Sequence, residues 1–255
     1  MLRPKKHLGQ HFLRDENIAR KIIGCLSGEI THVIEVGPGM GILSKYLLEK
    51  PGLNSFFFEI DSEAVIYLQQ QYPAISGKLV EKDFLKADLS VIPAPFAVIG
   101  NFPYNISTQI LFRVLEYRNS VPEVIGMFQK EVAERIASPP GSKKYGILSV
   151  LLKAWFDIEL LFTVNESVFY PPPRVKSAVI RLKRNTVAAL DCNEELFFLT
   201  VKTAFNQRRK TLRNALKGMM PAGKPALPGI QALLDKRAEQ LSVTDFVILS
   251  KFIEG

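Results

Sequence analysis

Apolar residues in the first 130 positions fall into short continuous runs, separated by stretches with helical spacing. Residues 31–37 (THVIEVG), 55–60 (SFFFEI), 78–83, 96–101 and 123–129 have the length and bulk of strands buried on both faces. Between them, 42–49, 62–71 and 108–117 carry apolar side chains at helical intervals. Strands alternating with helices predict right-handed βαβ crossovers and a parallel sheet. Two later strands, 156–164 and 178–183, flank the turn Tyr170-Pro171-Pro172-Pro173 and read as an antiparallel hairpin at the sheet edge. After Asn185 the pattern changes. Residues 194–205 are helical and 208–217 continue as a basic helix. A proline-rich loop follows over 219–228, then short helices at 231–234, 237–240 and 244–251. The expected fold is α/β: a Rossmann-like sheet over residues 1–184, followed by a small helical domain over 185–255.

Composition narrows the chemistry. The 255 residues are 47% hydrophobic and 23% charged, enough to bury a core without covalent staples. Two cysteines, Cys25 and Cys192, exclude a disulfide scaffold or four-thiolate site. Three histidines, His7, His11 and His32, leave little for a zinc centre, and no metal is expected. The basic start is followed by no apolar run of secretory type, and no stretch approaches the ~20 residues that span a bilayer. A soluble cytoplasmic protein without a membrane partner is expected. The net charge of +8 is unevenly placed. Residues 1–170 hold 18 basic and 18 acidic side chains, whereas 171–255 hold 15 and 7. Surplus charge can serve solubility alone, but this distribution fits a neutral working domain followed by a basic grip on an anionic partner.

Three strand tips point to a nucleoside-like ligand. Gly37-Pro38-Gly39-Met40-Gly41 follows the first strand and opens a helix, with Ile42 where a dinucleotide fingerprint wants a small residue. That departure fits a ligand without a phosphate. Glu59 ends the second strand, 20 residues beyond Gly39, where a carboxylate accepts hydrogen bonds from ribose hydroxyls. Asp83-Phe84 ends the third, suited to an adenine amino group and its ring. Asp83 taken alone would equally serve as a helix N-cap.

The fourth strand ends in Asn101-Phe102-Pro103-Tyr104. This set suits methylation of an exocyclic amine, a poor nucleophile because its lone pair is delocalised into the ring. The Asn101 side-chain oxygen and the Phe102 carbonyl can accept its two N–H groups and localise that lone pair. Pro103 stiffens the turn and has no N–H to compete. The Tyr104 ring can stack on a base that has left its helix. A methyl sulfonium then reacts in line, with positioning and electrostatics supplying the rate.

The chain closely resembles the ribosomal RNA adenine dimethyltransferase family, the kasugamycin-resistance dimethyladenosine transferases. The matching segments run nearly end to end. They are residues 6–13 (KHLGQHFL), 35–41 (EVGPGMG), Glu59-Ile60-Asp61, 101–108 (NFPYNIST), 129–133 (QKEVA), 145–150 (YGILSV), 169–175 (FYPPPRV) and 205–214 (FNQRRKTLRN). The resemblance implies an S-adenosylmethionine-dependent methyltransferase sheet. Its substrate would be two adjacent adenosines in a hairpin near the 3′ end of small-subunit rRNA, each dimethylated at N6. The partner would be that rRNA or the immature small subunit, met by a monomeric enzyme. By resemblance, His11 and Leu13 belong to an N-terminal segment closing over the cofactor. Gly37 lies beneath it, Glu59 takes the ribose, Asp83 the adenine, and Asn101 sits between cofactor and target amine. Phe169 would hold the target base against Tyr104. The chain departs from many members at His11, Phe102 and Lys176.

On a continuous helix, Arg209, Arg213 and Lys217 would share one face, with Lys210 adjoining and Arg208 nearby. This stripe is expected to bind RNA phosphates; Lys5, Lys6, Lys143 and Lys144 are weaker candidates. Two rival readings share features with this one. A large-subunit rRNA adenine methyltransferase of the antibiotic-resistance type would use the same target chemistry. A ribosome-assembly factor would keep the RNA grip without the reaction.

Overall fold

Runs buried on both faces become neighbouring strands, because only flanking strands and covering helices together remove such side chains from water. The computed structural model describes residues 2–221 and 225–255. In the first part of the chain the elements are β1 (Phe12–Leu13), α1 (Glu16–Gly24), β2 (His32–Val36), α2 (Ile42–Glu49), β3 (Asn54–Glu59), α3 (Ser62–Gln71), β4 (Leu79–Glu81), β5 (Ala97–Asn101), α4 (Ser107–Glu116) and β6 (Glu123–Gln129). Then come α5 (Lys130–Ala137), α6 (Ile147–Lys153), β7 (Phe156–Val164), β8 (Phe169–Tyr170), β9 (Ser177–Arg184), α7 (Glu194–Asn206), α8 (Leu212–Ala215), α9 (Pro228–Leu234) and α10 (Val243–Glu254).

Seven strands form a sheet in the order β4-β3-β2-β5-β6-β9-β7, while β1 pairs with β8 in a separate ribbon. The β4, β3, β2, β5 and β6 neighbours are parallel. β9 runs antiparallel to β6, from Glu123↔Lys183 to Gln129↔Ser177, and β7 lies beyond it at the edge. The chain steps outward from β2 to β4, then returns to the other side of β2 with β5. That reversal opens a crevice beyond the carboxyl ends of β2 and β5.

Three helices lie outside the predicted set: α1, α5 and α6. The first carries a readable signal. Asp15 accepts hydrogen bonds from the Asn17 and Ile18 N–H groups as an N-cap, and Ala19, Ile22 and Ile23 are buried on one side. Among the described residues no helix is long and apolar enough to cross a membrane.

The chain divides into two units, one of Met1–Ala133 with Glu159–Arg184, the other of Glu134–Ile158 with Asn185–Gly255. The expected first domain, 1–184, is therefore interrupted, and residues 134–158 group with the carboxy-terminal segment. Aromatic packing is the reason. Trp155 is fully buried, with its ring centroid 6.0 Å from Phe197 and 5.7 Å from Phe198, and Tyr145 lies 6.2 Å from Phe205.

The expected basic helix over 208–217 does not form. α7 stops at Asn206, residues 207–210 turn, and only Leu212–Ala215 is α-helical before a 3-10 turn at Lys217–Met219. A non-local pairing overrides helical propensity here. Thr211 bridges Arg237, and the Leu212 N–H donates to Lys236 O at 2.8 Å. Residues 222–224 of the expected 219–228 loop, and residue 1 of the basic start, lie outside the described residues.

Candidate active site

The turn from β2 into α2 is built on left-handed glycines, with φ of +68° at Gly37, +56° at Gly39 and +79° at Gly41. A side chain at Gly39 would come within 2.9 Å of the Phe12 ring, so glycine is needed for close approach as well as for φ. Glu59, at the tip of β3, organises this turn. Its Oε2 accepts the Gly39 N–H at 3.0 Å, and its Oε1 accepts the Ile60 and Asp61 N–H groups at 2.9 and 3.0 Å. Burial to 4% exposure raises its pKa, and these three N–H groups oppose the rise. A carboxylate has about four acceptor positions, and three are occupied. Glu59 thus keeps room for one further hydroxyl.

Asp83 lines the same cavity. Its Oδ1 accepts the Leu85 N–H at 3.0 Å, while Oδ2 lies 4.0 Å from the exposed Lys86 amine. The residues after Asp83 form a turn and not a helix, so this contact closes a turn instead of capping a helix, and the same side chain lines the cavity. Phe84 is buried edge-on against Phe58, with centroids 5.8 Å apart.

Glu35 also lines the cavity, and sequence reading gave it no role. It is buried at the end of β2 and accepts the Ser44 hydroxyl at 2.7 Å. Desolvation, aided by the nearby Glu59 charge, pushes its pKa from 4.5 to about 8. In the unfolded chain the group ionises near 4.5, whereas in the fold it holds its proton to about 8. The unfolded state binds fewer protons between these values, so stability falls as pH rises across that window. The melting temperature of the cofactor-free protein is expected to drop between pH 5 and pH 8. Glu35→Gln is expected to flatten that drop, and an equally steep profile for the variant would refute the assignment.

At the end of β5, Asn101 points its amide into the crevice. Its Nδ2 donates to the main-chain carbonyl of His11 at 2.8 Å. That bond fixes the amide orientation and leaves Oδ1 as the group able to accept from a ligand. The Phe102 side chain turns the other way. A side chain at Gly100 or Gly126, which face each other across β5 and β6, would come within 2.8 or 2.5 Å of the Phe102 ring. The ring therefore fills the notch that these two glycines leave, and packs edge-on against Phe128 at 5.2 Å. It anchors the turn, and Pro103 and Tyr104 follow at the cavity wall. The Tyr104 hydroxyl lies 2.5 Å from Ser177 Oγ, and burial raises its pKa against that hydrogen bond.

An N-terminal strap covers the crevice. Asp61, 3% exposed, takes the Lys5 amine at 2.6 Å and the Gln10 amide at 3.1 Å. Burial alone would raise its pKa, but these partners outweigh it and hold the carboxyl below its ordinary value. Further along, the Asn105 amide donates to His7 O at 3.3 Å, and Phe12 and Leu13 pair with Tyr170 and Phe169. The His11 ring lies beside Tyr104, centroids 5.3 Å apart.

One cavity therefore brings together His11, Leu13, Gly37, Glu59, Asp83, Asn101, Phe102, Pro103 and Tyr104. Phe169 is not part of its lining. Paired with Leu13, it is buried in the hydrophobic core at 4% exposure. The ring beside Tyr104 is that of His11. The basic candidates are divided by their partners. Arg208 donates to Lys143 O and pairs with Glu239, and Arg213 forms a fork with Asp235. Lys5 is held by Asp61 and Glu63, and Lys144 by Glu134. Arg209, Lys210 and Lys217 are exposed and make no ion pair among the described residues.

Comparison with known proteins places this geometry. The family model of ribosomal RNA adenine dimethylases matches residues 1–254. Ribosomal RNA small subunit methyltransferase A of Cytophaga hutchinsonii is 54% identical over 258 residues, covering 100% of this chain and 98% of that protein. The same-named protein of Flavobacterium johnsoniae is 54% identical, covering 100% and 97%. Among solved structures, a dimethyladenosine transferase from Plasmodium falciparum superposes with a TM-score of 0.77 at 26% identity, covering 96% and 97% of the two chains. The 23S rRNA methyltransferase ErmE gives 0.69 at 25% identity, covering 96% and 100%.

Proposed function

The chain belongs to the ribosomal RNA adenine dimethylase family, and from that premise we propose how its own residues work. It is an S-adenosylmethionine-dependent rRNA adenine dimethyltransferase of the small-subunit type. The cavity residues fit such a cofactor. Glu59 retains acceptor capacity for a ribose hydroxyl, Asp83 keeps Oδ2 for the adenine amine, and a Cβ at Gly37 would project toward Pro103 across the cavity floor. When bound, S-adenosylmethionine supplies an electrophilic methyl group on a sulfonium.

The orientation of Asn101 carries the proposal. With Nδ2 committed to His11 O, Asn101 Oδ1 accepts one N–H of the target amine. The Phe102 carbonyl accepts the other. Both bonds pull electron density back onto the nitrogen, making it nucleophilic before the methyl arrives. Tyr104 holds the unstacked adenine, its hydroxyl fixed by Ser177. The strap excludes water and supplies the carbonyl that sets Asn101, so cofactor closure and amine activation share one contact.

The targets in this proposal are the two adjacent adenosines near the 3′ end of small-subunit rRNA, met on the immature subunit by a monomer. Arg209, Lys210 and Lys217 contribute phosphate contacts. The large-subunit alternative shares the fold and the target chemistry. Identity of 54% across the whole chain with proteins named for the small subunit, against 25% with ErmE, supports the small-subunit reading. Labelled S-adenosylmethionine incubated with both immature subunits decides between them. Label and reverse-transcription stops are expected at paired small-subunit adenosines, since dimethylated N6 cannot pair. Stops confined to large-subunit RNA would overturn the reading.

A further inference from the structure

We propose that residues 170–176, with Arg14, form an RNA-gripping lip at the mouth of the methyl-transfer cavity. The proposal rests on the rRNA reading above and assigns the residues that hold RNA beside the target base. Both ends of this loop are tied to cavity-wall side chains. At one end His11 Nδ1 donates to Pro171 O at 2.7 Å; at the other Ser177 Oγ meets the Tyr104 hydroxyl at 2.5 Å. Between these anchors Pro172, Arg174, Val175 and Lys176 are exposed. Tyr170, 42% exposed, has the Arg14 guanidinium stacked 4.1 Å from its ring centroid. Arg14 is itself positioned by its N–H, which donates to Val168 O at 2.9 Å.

Residues 170–176 hold two basic side chains, Arg174 and Lys176, and no acidic one. Arg14, Arg174 and Lys176 make no ion pair among the described residues. A loop pinned at both ends presents these cations at low cost in ordering entropy.

The ligand chemistry follows from the reaction. An adenosine inserted into the cavity leaves its flanking phosphates and unstacked neighbours at the mouth. Arg174 and Lys176 meet the phosphates, and the Tyr170 ring, steadied by Arg14, offers a stacking surface to a flanking base. A merely solvated basic loop would make neither contact.

The test uses full-length enzyme and small-subunit particles. In Arg174→Ala/Lys176→Ala, affinity for the particle is expected to fall roughly tenfold at physiological salt, and the slope of log affinity against log salt to shrink by about 1 to 2. Tyr170→Ala should weaken binding with an unchanged salt slope, and Tyr170→Phe should restore it. Cofactor affinity and melting temperature are expected to stay at wild-type values. If the double variant melts lower, Arg174→Gln/Lys176→Gln repeats the measurement with longer side chains. Wild-type affinity and slope in a folded double variant would overturn the lip. A wild-type enzyme that methylates no small subunit would instead overturn the functional reading, so the two failures are distinguishable.

Discussion

Asn101→Ala is expected to lower kcat by about 10²–10³-fold, the scale of removing one preorganised polar group from a reacting centre. The loss has two physical parts. The variant lacks the oxygen proposed to accept the amine N–H, and it frees the His11 carbonyl that Asn101 Nδ2 holds at 2.8 Å. The first acts on the chemical step; the second loosens the strap. Asn101→Asp separates them. It keeps acceptor oxygens but turns one toward a carbonyl that offers no proton, so the strap is repelled. Single-turnover methyl transfer and calorimetric cofactor binding, measured together, resolve the contributions. For Asn101→Ala the cofactor Kd should move far less than kcat. Full turnover by that variant would refute amine activation at Asn101.

Glu59→Ala has the second large effect, and it falls on binding. The carboxylate joins the Gly39 turn to the start of α3 through three N–H groups, those of Gly39, Ile60 and Asp61. Its removal leaves buried donors without a partner, at about 1–3 kcal/mol each. It also removes the acceptor proposed for the ribose. Cofactor affinity is expected to fall about 10- to 100-fold, together with a clear drop in melting temperature. Glu59→Gln keeps the volume and one acceptor oxygen, but its amide N–H₂ must face a backbone donor, so it should recover only part of either loss. A wild-type Kd for cofactor in Glu59→Ala would remove this residue from the pocket.

Much of the sheet is legible locally, because each central strand is a short, mostly apolar run followed or ended by a polar or glycine residue at its tip. α2, α3 and β6 fall at the residues their spacing predicts. The same reasoning passes over Glu35, whose burial comes from the sheet's packing and whose only local hint is its place before the glycine turn. It also extends a helix through 208–217, where helix-forming side chains outvote everything except a distant partner. Thr211 finds Arg237, and the helix ends. Phe169 shows the same limit: an aromatic in the right motif is drawn into the core by pairing with Leu13.

By itself, then, the sequence determines the succession of β2 to β6 with α2, α3 and α4 between them, the parallel sheet with its crevice at the strand tips, and the identity of the residues at those tips. These follow from burial periodicity and turn chemistry, which act over a few neighbours. Tertiary structure alone decides that Asp61 and Asn101 hold the strap and that His11 stands beside Tyr104. It also decides that 134–158 join the second unit. Each of these depends on contacts between residues far apart in the chain, and the pattern of a local segment carries no record of the partner it will meet.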